Sequence, residues 1–115
     1  MTISEFEVKK YEKAIEKFME RCRPPAHIRN KVDLGYRIDN QSIEIFEIRP
    51  QWKDPSEKTE IPVAKATYVK TQKLWKVYWQ RADLKWHSYE PLPTVRILDE
   101  FLNAVDEDQY ACFFG

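Results

Sequence analysis

The chain has 115 residues, the usual size of one domain, and its 19 Lys and Arg residues balance its 19 Asp and Glu residues. With 43% hydrophobic and 33% charged residues it can bury a core without a disulfide or a metal, and it is not a disordered segment. The balanced charge argues against a dedicated duplex-DNA binder. The only two glycines, Gly35 and Gly115, exclude a P-loop or a dinucleotide-binding glycine turn. We therefore expect a single domain over residues 1–115.

The sequence also predicts a cytoplasmic location. Cys22 and Cys112 are the only cysteines and form no C-x-x-C pair, which is typical of reduced thiols. The charged start, MTISEFEVKKYEK, does not have the pattern of a secretory leader. No apolar run approaches the ~18 residues that span a bilayer, so we expect no membrane partner.

An amphipathic helix is predicted over residues 4–22. Its apolar side chains recur at spacings of three and four, which places them on one face: Val8, Tyr11, Ile15, Phe18, Met19 and Cys22. Ser4 is the predicted N-terminal cap, and Pro24 and Pro25 end the helix. We expect the apolar stripe to face the core.

Two strands follow, over 31–38 and 42–49, and the turn residues 39–41 join them as a hairpin. Apolar and polar residues alternate strictly in the first strand. In the second the alternation slips at Ile45 and Phe46. A β-bulge would explain the slip, as would coverage of both faces of the sheet.

Residues 50–62 are polar and predict one long loop, with Trp52 as a lid over the core. Three further strands are predicted over 63–70, 74–81 and 85–89. Thr94 is then expected to cap a second helix, whose apolar stripe is Val95, Leu98, Phe101, Leu102 and Val105. The tail, QYACFFG, is too apolar to lie free, and we expect it to dock on the body or on a second copy.

This order of elements, α-β-β-β-β-β-α with short connections, predicts an α+β fold. We expect an antiparallel four- to five-stranded meander sheet flanked by an N-terminal and a C-terminal helix, with both helices on one face.

The segment WKVYWQRADLKWHSYEP, residues 75–91, holds three of the four tryptophans. An even-residue hairpin loop over 82–85 would pair Tyr78 with Tyr89 and Gln80 with His87, and would turn the tryptophans toward the core. The opposite face would then carry an aromatic and basic group of side chains: Lys76, Tyr78, Gln80, His87 and Tyr89. An odd loop would break this sorting by turning one strand over.

Aromatic rings on a sheet stack with nucleic-acid bases, and nearby lysines contact phosphate. By their own alternation, Arg37 and Lys65 face the same way as this group. Cross-strand tyrosine pairs also simply stabilise sheets, so a structural interpretation stays open. No RNP-type motif is present.

A second basic cluster, RCRPPAHIRNK, follows the first helix and holds no acidic residue. Arg23, His27 and Arg29 are candidates to hold a phosphate or carboxylate. The alternative is structural, because these side chains would equally cap the carbonyls of the first helix or pair with the acidic C-terminal helix.

Two further sequence patterns, for a metal-dependent nuclease and for a zinc site, give weaker evidence of function than the aromatic and basic groups above. Glu47-x-Arg49 and Asp83-x-Lys85 resemble the acid-x-base pairs of metal-dependent nucleases, which need a second acid such as Asp33 or Glu44. The two cysteines and two histidines (Cys22, His27, His87 and Cys112) match no standard zinc spacing. We assign no catalytic residue, metal or cofactor.

Four segments together resemble a bacterial family described only as a domain of unknown function: RPPAHIRNKVDLGYRI, SIEIFEIRPQW, WKVYWQRADLKWHSYEPLP and the terminal YACFFG. The resemblance covers essentially the whole chain and implies a compact, stand-alone bacterial protein. It implies no activity, cofactor or catalytic residue.

Two functional hypotheses follow. The first is a non-enzymatic module that binds single-stranded nucleic acid or another flat anionic ligand through Lys76, Tyr78, His87 and Tyr89. The second is a protein-interaction module or homodimer that uses the sheet edge and the aromatic tail. A metal-dependent nuclease is a third hypothesis.

Overall fold

A computed structural model of the chain describes residues 5–108 and Phe113. In chain order the elements are α1 (Glu5–Cys22), β1 (Asp33–Asp39), β2 (Ser42–Pro50), β3 (Lys58–Val69), β4 (Leu74–Gln80), β5 (Trp86–Ser88), β6 (Thr94–Val95) and α2 (Leu98–Glu107). The predicted α+β fold, with a helix at each end of an antiparallel sheet, is confirmed. The proposed cap Ser4, Cys112 and the other residues of the C-terminal tail except Phe113 lie outside the described residues.

The sheet is a meander in which β1 to β5 lie side by side in chain order, all antiparallel. The short strand β6 pairs with β4 through Trp75–Val95 and Lys76–Thr94. Since β3 takes one edge of β4, the strands β5 and β6 share its other edge. The strand β4 is therefore paired on both sides along most of its length.

Both helices cover one face of the sheet, which we call the inner face. From α1, Ile15 and Phe18 are fully buried, and the ring of Tyr11 meets Trp75 edge-on with centroids 5.1 Å apart. From α2, the predicted stripe is buried in the same core: Leu98, Phe101, Leu102 and Val105. Among the described residues, neither helix is long and apolar enough to cross a membrane.

The long loop is shorter than predicted, because β3 begins at Lys58 and pairs with the end of β2. Pro62 lies inside β3, opposite Phe46, where the register of β2 and β3 shifts. The register shift does fall at Ile45 and Phe46, but its extra residue, Val63, lies in β3, and β2 pairs with β1 without interruption. Both suggested explanations therefore apply, since Ile45 and Phe46 are buried on opposite faces of the sheet. The irregularity in β3 accommodates a proline within the strand. Trp52 is 87% exposed, so its predicted role as a lid over the core is wrong.

The start of the second helix also differs from the prediction. Thr94 and Val95 form β6, and α2 begins at Leu98 with Ile97 at the N-cap and no side-chain cap. Val95 is buried as predicted, but it reaches the core from a strand opposite Trp75. Tertiary pairing with β4 overrides the local preference of a threonine to cap a helix.

Gly35 makes room for an aromatic ring on the uncovered face of the sheet, which we call the outer face. It lies opposite Phe46, and a Cβ built on Gly35 would be 2.7 Å from Cε2 of that ring. The guanidinium of Arg37 lies over the ring of Phe46, 4.5 Å from its centroid, and forms an ion pair with Glu60. These contacts leave Phe46 only 6% exposed on a face that no helix covers.

Replacing Gly35→Ala is expected to lower the free energy of unfolding by about 1–3 kcal/mol, because the ring of Phe46 must move away from the new methyl group. Urea unfolding followed by circular dichroism measures the effect. The double variant Gly35→Ala/Phe46→Leu should lose less free energy of unfolding than the two single variants lose together, since the smaller side chain at 46 removes the clash. An unchanged urea midpoint in Gly35→Ala would show that the ring moves freely.

Candidate ligand-binding face of the sheet

The loop between β4 and β5 has five residues, 81–85, and not the four that were predicted. Gln80 pairs with Trp86, Trp79 with His87, and Tyr78 with Ser88. The loop closes through a backbone hydrogen bond from Arg81 N to Lys85 O, with Leu84 in the left-handed region at φ 63°. Asp83 stabilises it by accepting a hydrogen bond from the Lys85 backbone N–H at 2.9 Å, which is an Asx turn. The predicted even loop is therefore wrong.

An odd loop moves the residues of β5 to the faces opposite those predicted. Directly paired residues of antiparallel strands share a face, so Trp86 lies on the outer face with Tyr78, and His87 shares the inner side with Trp79. Tyr89 is 3% exposed and packs its ring on that of Phe113, with centroids 4.6 Å apart. The expectation that His87 and Tyr89 lie on the outer face is thus wrong.

His87 is bound within its own hairpin. Its Nε2 lies 2.8 Å from Oδ2 of Asp83, at the end of the turn that Asp83 stabilises. The backbone N–H of Lys85 and the side chain of His87 together hold the pKa of the Asp83 carboxyl below its usual range, the backbone hydrogen bond having the larger effect. This contact orients His87 toward the loop and away from Tyr78.

Four side chains form what we call the outer patch: Lys65, Lys76, Tyr78 and Trp86. Lys65 lies directly opposite Tyr78 in the pairing of β3 and β4, which confirms that it faces the same way. Its ammonium nitrogen lies 5.5 Å from the ring centroid of Tyr78 and 5.1 Å from that of Trp86. Lys76 is exposed two residues before Tyr78, on the same face. The structure therefore keeps Lys76 and Tyr78 together and replaces His87 and Tyr89 with Lys65 and Trp86.

The charge of Lys65 is balanced by rings and not by an acid. Glu44 is its partner across β2 and β3, yet among the described residues no carboxylate lies within ion-pair distance of Lys65. The ammonium instead lies near the rings on the β4 and β5 side, where their negative faces attract it. Such a cluster stabilises the sheet, and it also presents a cation and two half-buried aromatic rings to solvent.

The second basic cluster is engaged in contacts within the chain. Arg23 binds Asp33 with two hydrogen bonds, Nε and Nη2 each 2.8 Å from a carboxylate oxygen. Arg29 donates from Nε to the carbonyl of Pro24 at 2.8 Å. His27 is exposed after the end of α1. Arg23 and Arg29 therefore have structural contacts other than those suggested from the sequence, since within the described residues neither caps a carbonyl of α1 nor pairs with α2. Their binding of a ligand stays a prediction.

The acidic C-terminal helix pairs with α1 through a different arginine. Asp106 of α2 accepts hydrogen bonds from Arg21 Nε at 3.3 Å and from Cys22 Sγ at 3.1 Å. Burial, together with this hydrogen bond, raises the pKa of the Cys22 thiol to about 12. The thiol is therefore held in its protonated, unreactive form.

The residues suggested for a nuclease or zinc site are not assembled in the described part of the chain. Glu47 forms an ion pair with Arg49 at 3.0 Å, and Asp33 is bound by Arg23. Across residues 5–108 and Phe113, no three side chains of His, Cys, Asp or Glu are grouped in a way that would hold a metal ion.

A family model described as "Domain of unknown function (DUF3024)" matches residues 3–115. The chain belongs to this family. The bacterial origin that the resemblance implied stays a prediction. No curated protein and no solved structure matches this DUF3024 chain.

The pair of Arg23 and Asp33 predicts how stability depends on pH. Arg23 holds the pKa of Asp33 below its usual range, so the pair contributes stability above the unfolded-state pKa, about 3.9, and loses it as the pH falls through the lower folded-state pKa. Asp33→Asn should lower the free energy of unfolding at pH 7 by about 1–2 kcal/mol, and this difference should shrink below about pH 4.

Urea unfolding across this pH range measures the effect. Glu47→Gln is the matched control, because Glu47 makes only one contact with an exposed arginine. This substitution should lower the free energy of unfolding by about 0–1 kcal/mol. An Asp33→Asn effect that is the same at pH 3 and pH 7 would contradict the assignment.

The Cys22 pKa gives a separate prediction. With Cys112→Ser to leave one thiol, iodoacetamide at pH 8 should modify native Cys22 at least about tenfold more slowly than the urea-unfolded chain, because so little thiolate is present. Intact mass against time measures both rates. Equal rates in the native and unfolded protein would show that Asp106 does not protect the thiol.

Proposed function

We propose that the outer patch binds single-stranded nucleic acid, or a smaller flat anion of the same chemistry such as a mononucleotide. The observation that carries the proposal is that the rings of Tyr78 and Trp86 lie around the ammonium of Lys65 on the open face of the sheet. Two aromatic surfaces and a cation that forms no ion pair with any described acid combine the stacking and phosphate contacts that such ligands require.

The face of the sheet suits unpaired bases better than a duplex. Bases in a single strand are free to leave their neighbours and stack on protein rings, each contributing about 1–3 kcal/mol. A duplex offers no such surface, and its binding depends on a larger basic excess than this chain possesses, with 19 acidic residues against 19 basic ones. Affinity is therefore expected to come mainly from Tyr78 and Trp86, with a limited contribution from charge.

The surroundings of the patch limit its charge. Lys76 adds a second exposed cation, whereas Glu44 lies next to Lys65 on β2. With two lysine–phosphate contacts, the logarithm of the association constant should fall with the logarithm of salt concentration with a slope of about −1.4.

The alternative proposal is a homodimer formed through the free edge of the sheet. In the described part of the chain, β1 pairs only with β2 and stands at the end of the strand order, which leaves an edge able to pair with a second copy. Of the aromatic tail, Phe113 is less available for this role, since it packs on Tyr89 of the same chain.

The test is fluorescence anisotropy of a fluorescein-labelled, mixed-sequence single-stranded oligonucleotide, at low and at physiological salt. Binding should be lost or weakened about 5- to 100-fold in Trp86→Ala, because one stacking surface is removed. Lys65→Gln/Lys76→Gln should weaken binding and flatten its salt dependence. Competition by a mononucleotide shows whether one base and one phosphate suffice.

Trp52→Ala is the matched control. Trp52 is an exposed tryptophan with a lysine over its ring, Lys53 Nζ at 5.5 Å, but it lies on the loop between β2 and β3 and outside the patch. Equal weakening in Trp52→Ala and Trp86→Ala, or no binding at any salt, would overturn the proposal. Solution mass that rises with protein concentration in the absence of nucleic acid would favour the homodimer.

A further inference from the structure

A groove of about 690 Å³ lies between α1 and α2, on the side of the molecule away from the outer patch. Its long wall is one face of α1, from Phe6 to Arg21, and its opposite wall is the first two turns of α2. Its volume falls within the range of small-molecule sites. The groove takes no part in the proposed function.

The long wall carries a row of cations. Lys9, Lys13, Lys17 and Arg21 follow each other at intervals of four residues, about 6 Å apart along the helix, and Lys10 joins them. Like charges at this spacing repel each other, and acids at a spacing of three residues on the same helix offset part of that repulsion. Within the described residues, no acid lies within ion-pair distance of the four lysines, whereas Arg21 binds Asp106.

The acids of α1 do not neutralise the groove from inside. Glu12, Glu16 and Glu20 each follow a lysine by three residues, but none of them lines the groove. The α2 wall contributes one acid, Asp99. Among the described residues, the groove therefore has five basic side chains against one acidic side chain.

Between the cations the groove is apolar. Ala14 and Leu102 belong to its lining, and Phe6 stands at one end with 80% of its surface exposed. The stems of the lysines extend the apolar surface, since lysine buries its methylene groups while the ammonium stays in water. An anion with an apolar body would satisfy both parts of this lining.

The dimensions favour a slender ligand. From Phe6 to Arg21 the wall covers 16 residues of α1, or about 22 Å. The groove is therefore elongated, with its cations along one wall and its apolar residues between the helices. A hydrocarbon chain that ends in an anionic group can lie extended along such a groove.

We infer that this groove binds a single-chain anionic amphiphile, a long-chain carboxylate. The carboxylate pairs with the row of lysines on α1, and the chain lies along the apolar floor between the two helices. This site is separate from the outer patch, because the sheet lies between them.

The fluorescent long-chain carboxylate cis-parinaric acid, used below its micelle concentration, tests the site directly. Its emission should rise on titration with the protein, and laurate should displace it while uncharged monolaurin of the same chain length should do so poorly. Lys13→Gln/Lys17→Gln should weaken binding about tenfold, by removing two cations of the row. Asn103→Trp, at an exposed position of α2, should block the groove without disturbing the core.

Lys31→Gln/Lys53→Gln is the matched control, since it removes two exposed lysines elsewhere on the chain and should leave the affinity unchanged. Thermal unfolding checks that every variant is folded. The inference is overturned by a lack of binding to the unchanged protein, by equal displacement with monolaurin, or by affinity that neither groove variant alters. Co-sedimentation with phosphatidylglycerol vesicles, without binding of the monomeric acid, would also overturn it in favour of a membrane surface.

Discussion

The packing of the buried Trp75 ring between α1 and the sheet is the interaction on which the rest of the molecule depends. This ring is 1% exposed and touches Tyr11 of α1 and Tyr68 of β3, each with a centroid distance of 5.1 Å. It thereby joins the helix layer to the centre of the sheet. Because side chains alternate along a strand, fixing Trp75 inward fixes Lys76 and Tyr78 outward. The inner core and the outer patch are two results of the same constraint.

Most of the fold was predictable because its signals are periodic and local. The spacing of apolar residues located both helices, and the slip at Ile45 and Phe46 indicated the register shift that the structure contains. The errors occur where a distant partner overrides a local signal. Pro62 suggested a loop, yet the shifted register admits it into β3, and Thr94 suggested a helix cap, yet its segment pairs with β4.

The candidate site was only partly predictable, for two physical reasons. The first is the length of the hairpin loop: with five residues instead of the expected four, Trp86 lies on the outer face in place of His87, and the sequence of 81–85 alone does not decide between the two lengths. The second is charge pairing over long separations. The contact of Arg23 with Asp33, like that of Arg21 with Asp106, depends on where the strands and α2 lie, and a run of basic residues alone does not reveal it.

The odd loop between β4 and β5 has a consequence for how this surface varies through evolution. Loops tolerate insertions and deletions more readily than the strands they connect. If one residue of this loop were deleted and the loop kept its five-residue form, the register of β5 would advance by one, so that His87 would pair with Gln80 and face outward while Trp86 would enter the loop. A difference of one residue in loop length can therefore replace an aromatic side chain on this surface with an imidazole. Relatives that share all these surface residues can still differ in surface chemistry.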